Sequence, residues 1–150
     1  MKTIEDVMSR DVTSVAPEDS IRRAAELMDD LDIGALPVTE NSRLVGIITD
    51  RDITVRATAA GLGPEDTQVA DVMTEEPCHC YQDQSLDDVM QSMRDVQVRR
   101  VPVVSRDSHT LIGIVALADI VETETDDSKT AQTLLEISSP LPAGQERTTL

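Results

Sequence analysis

Four consecutive side chains, Thr49, Asp50, Arg51 and Asp52, supply a hydroxyl, two carboxylates and a guanidinium. Thr and Asp are also residue types that open a helix. The preceding stretch, Leu44 to Ile48, reads as a short, fully buried strand. A strand running straight into a helix start leaves backbone N–H groups without intrahelical partners. Residues 44 to 53 therefore gather a hydroxyl, a carboxylate, free N–H donors and a cation at one junction, and this is where a small ligand is expected if the protein binds one. This is binding chemistry. No nucleophile, base and acid converge anywhere in the sequence, so enzymatic activity is not expected.

The second group with reactive potential is Cys78-His79-Cys80, which contains both cysteines of the chain. A closed zinc site needs four ligands, and His109 is the only other histidine. Alternation along a strand puts both sulfurs on one face, where small apolar side chains are wanted. Core cysteines are therefore expected rather than metal ligands. A disulfide across positions i and i+2 of a strand would be strained.

Composition limits what can surround these groups. Of 150 residues, 39% are apolar, yet Phe and Trp are absent and Tyr81 is the lone aromatic. The core must be built from Val, Ile, Leu, Met and Ala, which suits thin, duplicated α/β units. The formal charge of −16 arises from 29 acidic and 13 basic residues, with Lys2 and Lys129 the only lysines. Such a surface repels nucleic acid, and no aromatic platform exists for stacking bases. It suits a salty cytoplasm as well as an ordinary acidic bacterial protein. The longest apolar run, Leu111 to Ala118, is far short of the ~20 residues of a membrane span. No basic-then-apolar leader opens the chain, and the cytoplasm is the expected compartment.

The elements that must hold the junction follow in order. A short strand is expected at Val12 to Val15, closed by Ala16-Pro17. Ser20 reads as an N-cap for a helix with Ile21, Ala24, Ala25, Met28 and Leu31 on one face. Asp29, Asp30 and Asp32 crowd its end, against the macrodipole. Ile33 to Thr39 is extended, Glu40 to Arg43 a turn, Leu44 to Thr49 the return strand, and Asp50 to Ala60 a second helix ending at Gly61. Gly61 to Thr67 is a linker.

The pattern then recurs. Val72-Met73 match Val7-Met8, Ser85-Leu86 match Ser20-Ile21, and Pro102-Val103 match Pro37-Val38, each 65 residues on. Gly113 and Asp119 match Gly46 and Asp52 at 67, because the turn Ser105 to Thr110 is longer than Glu40 to Arg43. An insertion confined to a turn is what a structural repeat tolerates. Ser85 with Asp88 makes a capping-box-like start for the helix carrying Leu86, Val89, Met90 and Met93. Each copy thus reads strand, helix, strand, strand, helix. The expected organisation is a first domain over 1–60, a linker over 61–68, a second domain over 69–122, and an acidic segment with a loose tail over 123–150. In that last part Glu122 to Asp127 is a solvated acidic run. Ala131, Leu134, Leu135 and Ile137 suit a short amphipathic helix, and Pro140 and Pro142 end it.

Val-Met near the start, Ile-Gly-Ala-Leu-Pro-Val (33–38), Gly-Ile-Ile-Thr-Asp-Arg-Asp-Ile (46–53), Val-Arg-Arg-Val-Pro-Val-Val (98–104) and Gly-Ile-Val-Ala-Leu-Ala-Asp-Ile (113–120) resemble a tandem pair of CBS domains over residues 1 to about 122. The pair is most similar to small stand-alone two-CBS proteins of the hypoxic-response-protein type. The resemblance implies an α/β (α+β) fold of two β-α-β-β-α repeats related by a pseudo-twofold. It also implies clefts between the repeats that bind adenosyl ligands such as AMP, ADP, ATP, NAD or S-adenosylmethionine, and assembly into homodimers.

The family's strand-end motif, Ser or Thr, two residues, then Asp or Asn, falls here on Thr49 and Asp52. A hydroxyl at a helix start can donate to a phosphate oxygen, and the free N–H groups favour the same anion. Asp52 suits two ribose hydroxyls, as the acidic residue of dinucleotide folds does, and Arg51 could neutralise a phosphate. The resemblance implies Thr13, Ile33, Ala35 and Pro37 around the adenine. Equally, Thr49 or Asp50 could simply cap the helix and Asp52 be a first-turn acid. The second copy reads Ala116-Leu117-Ala118-Asp119 and lacks the hydroxyl. A weaker second site there would rest on Asp119, Arg99, Arg100 and Pro102, so one good site per chain is expected.

The acidic surface does not forbid an anion, because at physiological salt the Debye length is ~8 Å and contact groups outweigh distant ones. ATP should suffer more than AMP or S-adenosylmethionine. Two function classes remain. One is a ligand-sensing regulatory module acting in trans on a protein partner, with no obligatory cofactor and no metal. The other is a dimeric structural or interaction protein that binds no nucleotide.

Overall fold

The computed structural model describes residues 2–123 together with Ile137. The chain forms two compact units. The expected helix over 131–137 lies outside the described residues except for Ile137, which is buried.

One unit contains residues 13–77 and 108–111. Its α2 (Ile21–Leu31) starts at Ser20, whose hydroxyl accepts from the Arg23 N–H at 3.1 Å, and buries Ile21, Ala24 and Met28. It ends at Asp32 in the left-handed region, φ 54°, a conformation that Asp tolerates better than most residues. The hairpin β1 (Ala35–Glu40) and β2 (Arg43–Thr49) follows, antiparallel, with a register shift between Val38 and Thr39. β3 (Thr74–Glu75) completes the sheet, pairing antiparallel with Gly46 and Ile47 of β2. Val15, Ile21, Ala24, Met28, Leu36, Val38, Ile48, Ala57, Val69 and Val72 form the core. The short α4 (Val69–Val72) delivers the last two.

The other unit contains residues 2–12, 78–107 and 112–123 with Ile137. Its α1 (Ile4–Val7) buries Ile4, and α5 (Leu86–Val96) buries Leu86, Val89, Met90 and Met93. Ser85 caps α5 by accepting from the Asp88 N–H at 3.1 Å, and Gln97, φ 57°, ends it. Its sheet has the order β4 (Cys80–Tyr81), β5 (Arg100–Val104), β6 (Leu111–Ala116), with β4 parallel to β5. α6 (Leu117–Thr123) follows β6 directly.

The units are therefore not the two sequence repeats cut at the linker. Residues 2–12, which open the first repeat, pack with the second, and residues 69–77, which open the second, pack with the first. The two Val-Met pairs, Val7-Met8 and Val72-Met73, mark these exchanged segments.

Two elements differ from expectation. The strand at Val12 to Val15 reduces to one parallel bridge, Val15 with Val38, made by Val15 N–H to Pro37 O at 3.0 Å and Thr39 N–H to Val15 O at 2.9 Å. The ladder cannot lengthen because the next donors on either side would be Pro37 and Pro17, which have no N–H. In the second copy Gln82 stands at the place of Pro17, and the strand reaches two residues, Cys80 and Tyr81. The helix expected over Asp50 to Ala60 is one α-turn, α3 (Asp50–Asp52), continued by a π-helical segment, Ile53–Thr58. The β-branched run Ile53-Thr54-Val55 crowds an α-helix, and Ala59 N–H reaches back five residues to Thr54 O.

Candidate functional site

Of the residues predicted for the first repeat, Ala35, Pro37, Thr49, Arg51 and Asp52 lie on one hairpin and the turn that leaves it, and Ile33 lies just ahead of its first strand. Thr49, the last residue of β2, lies directly across from Ala35 in the β1–β2 register, and Pro37 faces Ile47. Ala35 and Pro37 share one face of β1 and Ile33 precedes the strand, with Ile33 and Ala35 half-buried and Pro37 buried. Thr13 is exposed, two residues ahead of the bridge that Val15 makes to β1. The junction is fixed by Asp50 N–H donating to Gly34 O at 2.9 Å.

Thr49 and Asp52 are both buried, 6% and 7% exposed, unlike most polar residues of the described chain. They form a reciprocal cap: Asp52 N–H donates to Thr49 Oγ1 at 3.0 Å, and Thr49 N–H donates to Asp52 Oδ2 at 3.0 Å. The helix-capping role is thus real for Thr49 and Asp52, and Asp50 instead accepts from Arg51 N–H at 2.8 Å. Capping does not exhaust either group. A hydroxyl that accepts in the cap still has its own proton to donate. Asp52 Oδ1, the oxygen outside the cap, faces two weaker partners, Thr74 Oγ1 at 3.5 Å and the Arg56 guanidinium at 3.7 Å. Arg56 also donates to the carbonyls of Val72 at 3.3 Å and Met73 at 3.1 Å. Arg51 is exposed.

Arg56 and Thr74 are absent from the residues predicted for this site. Arg56 was within reach of sequence reasoning, since it stands four residues after Asp52 on a helical path. Thr74 was not, because it comes from the opening segment of the other repeat.

The second copy keeps the framework with different chemistry. Leu117 N–H donates to Arg99 O at 2.7 Å, as Asp50 does to Gly34. Ala116 supplies no capping hydroxyl, and Asp119 is half-buried. Arg99 and Arg100 are exposed and Pro102 is buried. Thr123 stands where the first copy has Arg56, and its hydroxyl donates to Asp119 O at 3.1 Å.

Cys80 is buried and Cys78 half-buried. Burial pushes the Cys80 thiol up to about 12, with Cys78 adding to the shift, and burial raises Cys78 as well. His79 meets Tyr81 edge-on, with ring centroids 5.5 Å apart. The Arg106 guanidinium covers the Tyr81 ring at 4.2 Å and hydrogen bonds Asp83 at 2.8 and 2.9 Å, which holds the Asp83 carboxyl below its usual range. Among the described residues no group of three or more His, Cys, Asp or Glu side chains could hold a metal ion. No helix among them is long and apolar enough to cross a membrane.

The model of the CBS domain family matches residues 4–57 and 69–125. The CBS domain-containing protein YhcV of Bacillus subtilis is 38% identical over 138 residues, spanning 92% of this chain and 96% of its own. Hypoxic response protein 1 of Mycobacterium tuberculosis is 39% identical over 121 residues, 80% of this chain and 83% of its own. Two similar solved structures are ligand complexes. CBSX2 in complex with AMP is 26% identical, covers 82% of this chain and 96% of its own, and has a TM-score of 0.70. The CBS domain pair of MJ0100, in complex with 5-methylthioadenosine and S-adenosyl-L-methionine, is 27% identical, covers 82% and 95%, and has a TM-score of 0.69.

Proposed function

Because this chain belongs to the CBS-domain family and carries the domain twice, we propose that it is a regulatory module that binds an adenosyl compound at the Thr49–Asp52 junction and signals in trans. The ligand class is AMP, ADP, ATP, NAD or S-adenosylmethionine, and the acting species is a homodimer. AMP and S-adenosylmethionine bound to the similar CBSX2 and MJ0100 pairs support the class. The observation that carries the reading is Asp52. It is a buried carboxylate whose Oδ1 has only two long contacts, at 3.5 and 3.7 Å. Burying a charge with an oxygen so weakly satisfied is costly, and a ribose diol would offer it two donors.

In this reading Asp52 takes the ribose, and the Thr49 hydroxyl donates to the first phosphate or to its stand-in. Ile33, Ala35 and Pro37 provide the apolar wall for the base, with Thr13 at its rim. Arg51 neutralises charge at the solvent side. The second repeat, with Ala116 in place of the hydroxyl, offers a weaker place around Asp119, Arg99, Arg100 and Pro102. The other reading, a dimeric interaction protein without a nucleotide, uses none of these groups.

Calorimetric titration and thermal shift with AMP, 2′-deoxy-AMP, ATP, NAD and S-adenosylmethionine test the proposal. AMP or S-adenosylmethionine should stabilise the protein. Asp52→Asn keeps a carbonyl oxygen for the cap but loses the charge, and should bind about 10- to 100-fold more weakly, as for hydrogen bonds to a charged group. No stabilisation at millimolar concentration by any compound selects the interaction-protein reading. A species of 16.4 kDa in solution would remove the dimer.

A further inference from the structure

We infer that Arg56 is a positioning residue that ties occupancy of the Asp52 site to the segment Val72–Glu75, so that β3 is the element that reports the bound ligand. This rests on the nucleotide reading of Asp52. Three observations carry it. Arg56 bridges two things at once: its Nε lies 3.7 Å from Asp52 Oδ1, and its Nη1 donates to the carbonyls of Val72 and Met73 at 3.3 and 3.1 Å. Those carbonyls end α4 and lead directly into β3, so the guanidinium closes a short path from the carboxylate to the sheet's third strand. Thr74, the first residue of β3, reaches the same Oδ1 with its hydroxyl at 3.5 Å.

Two links from this segment, Thr74 directly and the Val72 and Met73 carbonyls through Arg56, therefore meet at the one oxygen that the cap leaves over. A ribose hydroxyl donating to Oδ1 competes with Thr74 and draws on the same charge that orients Arg56. β3 itself is only two residues long and pairs with Gly46 and Ile47 alone. An element held by so few ladder bonds opens at low cost, and loss or gain of a side-chain tether is a large part of its stability. The second repeat has no such device, since Thr123 and Ser9 stand at the places of Arg56 and Thr74. Bonds on Thr123 go to the Asp119 backbone instead.

Hydrogen exchange read by mass spectrometry on the full chain, wild type, Arg56→Gln, Arg56→Lys and Thr74→Val, tests this with AMP and S-adenosylmethionine as probes. Without ligand, Arg56→Gln should exchange faster over residues 72–76, and Arg56→Lys, which keeps the charge, should recover part of the protection. In the wild type, saturating probe should change exchange over that segment by about fivefold, the lower end of ordinary site coupling. In Arg56→Gln the probe should still bind while that response disappears. Thr74→Val should bind the probe more tightly, because a competitor for Oδ1 is gone. Unaltered exchange in ligand-free Arg56→Gln, or a full response to probe in that variant, overturns the inference. If neither probe binds the wild type, the nucleotide reading itself fails and the coupling falls with it. The ligand-free comparison then still decides whether Arg56 tethers the segment.

Discussion

Cys80 stands 65 residues after Val15, and both side chains are buried at the same place in their repeats. A thiol in a valine's position is a small apolar group, as alternation predicts for Cys80, whereas Cys78 lies ahead of the strand and is only half-buried. The structure adds an electrostatic consequence. The folded Cys80 thiol is pushed up to about 12, first by burial and then by Cys78, whereas in the unfolded chain it ionises near ~8.5. The folded state thus holds the proton in a window where the unfolded state gives it up. Stability from this group is complete below ~8.5 and declines as pH rises toward about 12, on the order of 1 kcal/mol per pH unit at most. Urea unfolding at pH 7 and pH 10 should show a smaller loss for Cys80→Val than for the wild type, with near-equal stability at pH 7. Equal losses would mean that the thiol ionises as freely in the fold as outside it.

Gly46 and Gly113 set how closely the exchanged segments approach their sheets. A Cβ on Gly46 would lie 2.7 Å from Met73 Sδ and 2.9 Å from Thr74 O. One on Gly113 would lie 2.7 Å from Ser9 O and 3.0 Å from Met8 Sδ. The same contact is thus built twice, each time by the Val-Met segment of the other repeat. Gly46→Ala and Gly113→Ala should each lose about 1–3 kcal/mol by denaturant unfolding, the usual cost of forcing atoms into a packed site. Gly63→Ala, whose Cβ would meet only Asp66 Oδ2 at 3.5 Å, should be close to neutral. A Gly46→Ala protein as stable as Gly63→Ala would show that the segment yields freely. These glycines also mark how far the sequence could be read. Ser20 and Ser85, the apolar face of α5, the β1–β2 hairpin and the junction at Thr49 all follow from local pattern, whereas α2 buries Ile21, Ala24 and Met28 with Leu27 beside them and leaves Ala25 and Leu31 exposed. What local pattern could not reveal was pairing across the repeats: Thr74 beside Asp52, Met73 against Gly46, Ser9 bridging to Ile114. The first strand is shorter than alternation predicts because its ladder depends on which residues are proline, and the second helix becomes π-helical where the β-branched run Ile53-Thr54-Val55 crowds it.

The whole chain carries −16 at pH 7, and among the described residues the ion pairs lie mainly at the surface: Arg10 with Glu5, Arg22 with Glu26 and Glu65, Arg106 with Asp83. Pairs so exposed contribute little, while 29 acids against 13 bases leave a net repulsion that unfolding relieves. Added salt therefore acts on the two terms in opposite senses, and the excess charge makes the repulsive one larger. The sequence left open whether such a surface belongs to an ordinary acidic protein or to one built for a salty cytoplasm, and the range over which salt acts separates them. The Debye length falls from ~30 Å at 0.01 M to ~8 Å at 0.15 M and ~3 Å at 1 M, so simple screening is nearly complete by a few tenths molar. We expect the midpoint of thermal unfolding to rise between 0.01 and about 0.3 M KCl and then to level off. A continued rise into molar KCl would assign the surface to a salt-adapted protein, in which hydrated cations are held by the carboxylates. A midpoint that fell over the lower range would mean that the surface ion pairs outweigh the repulsion.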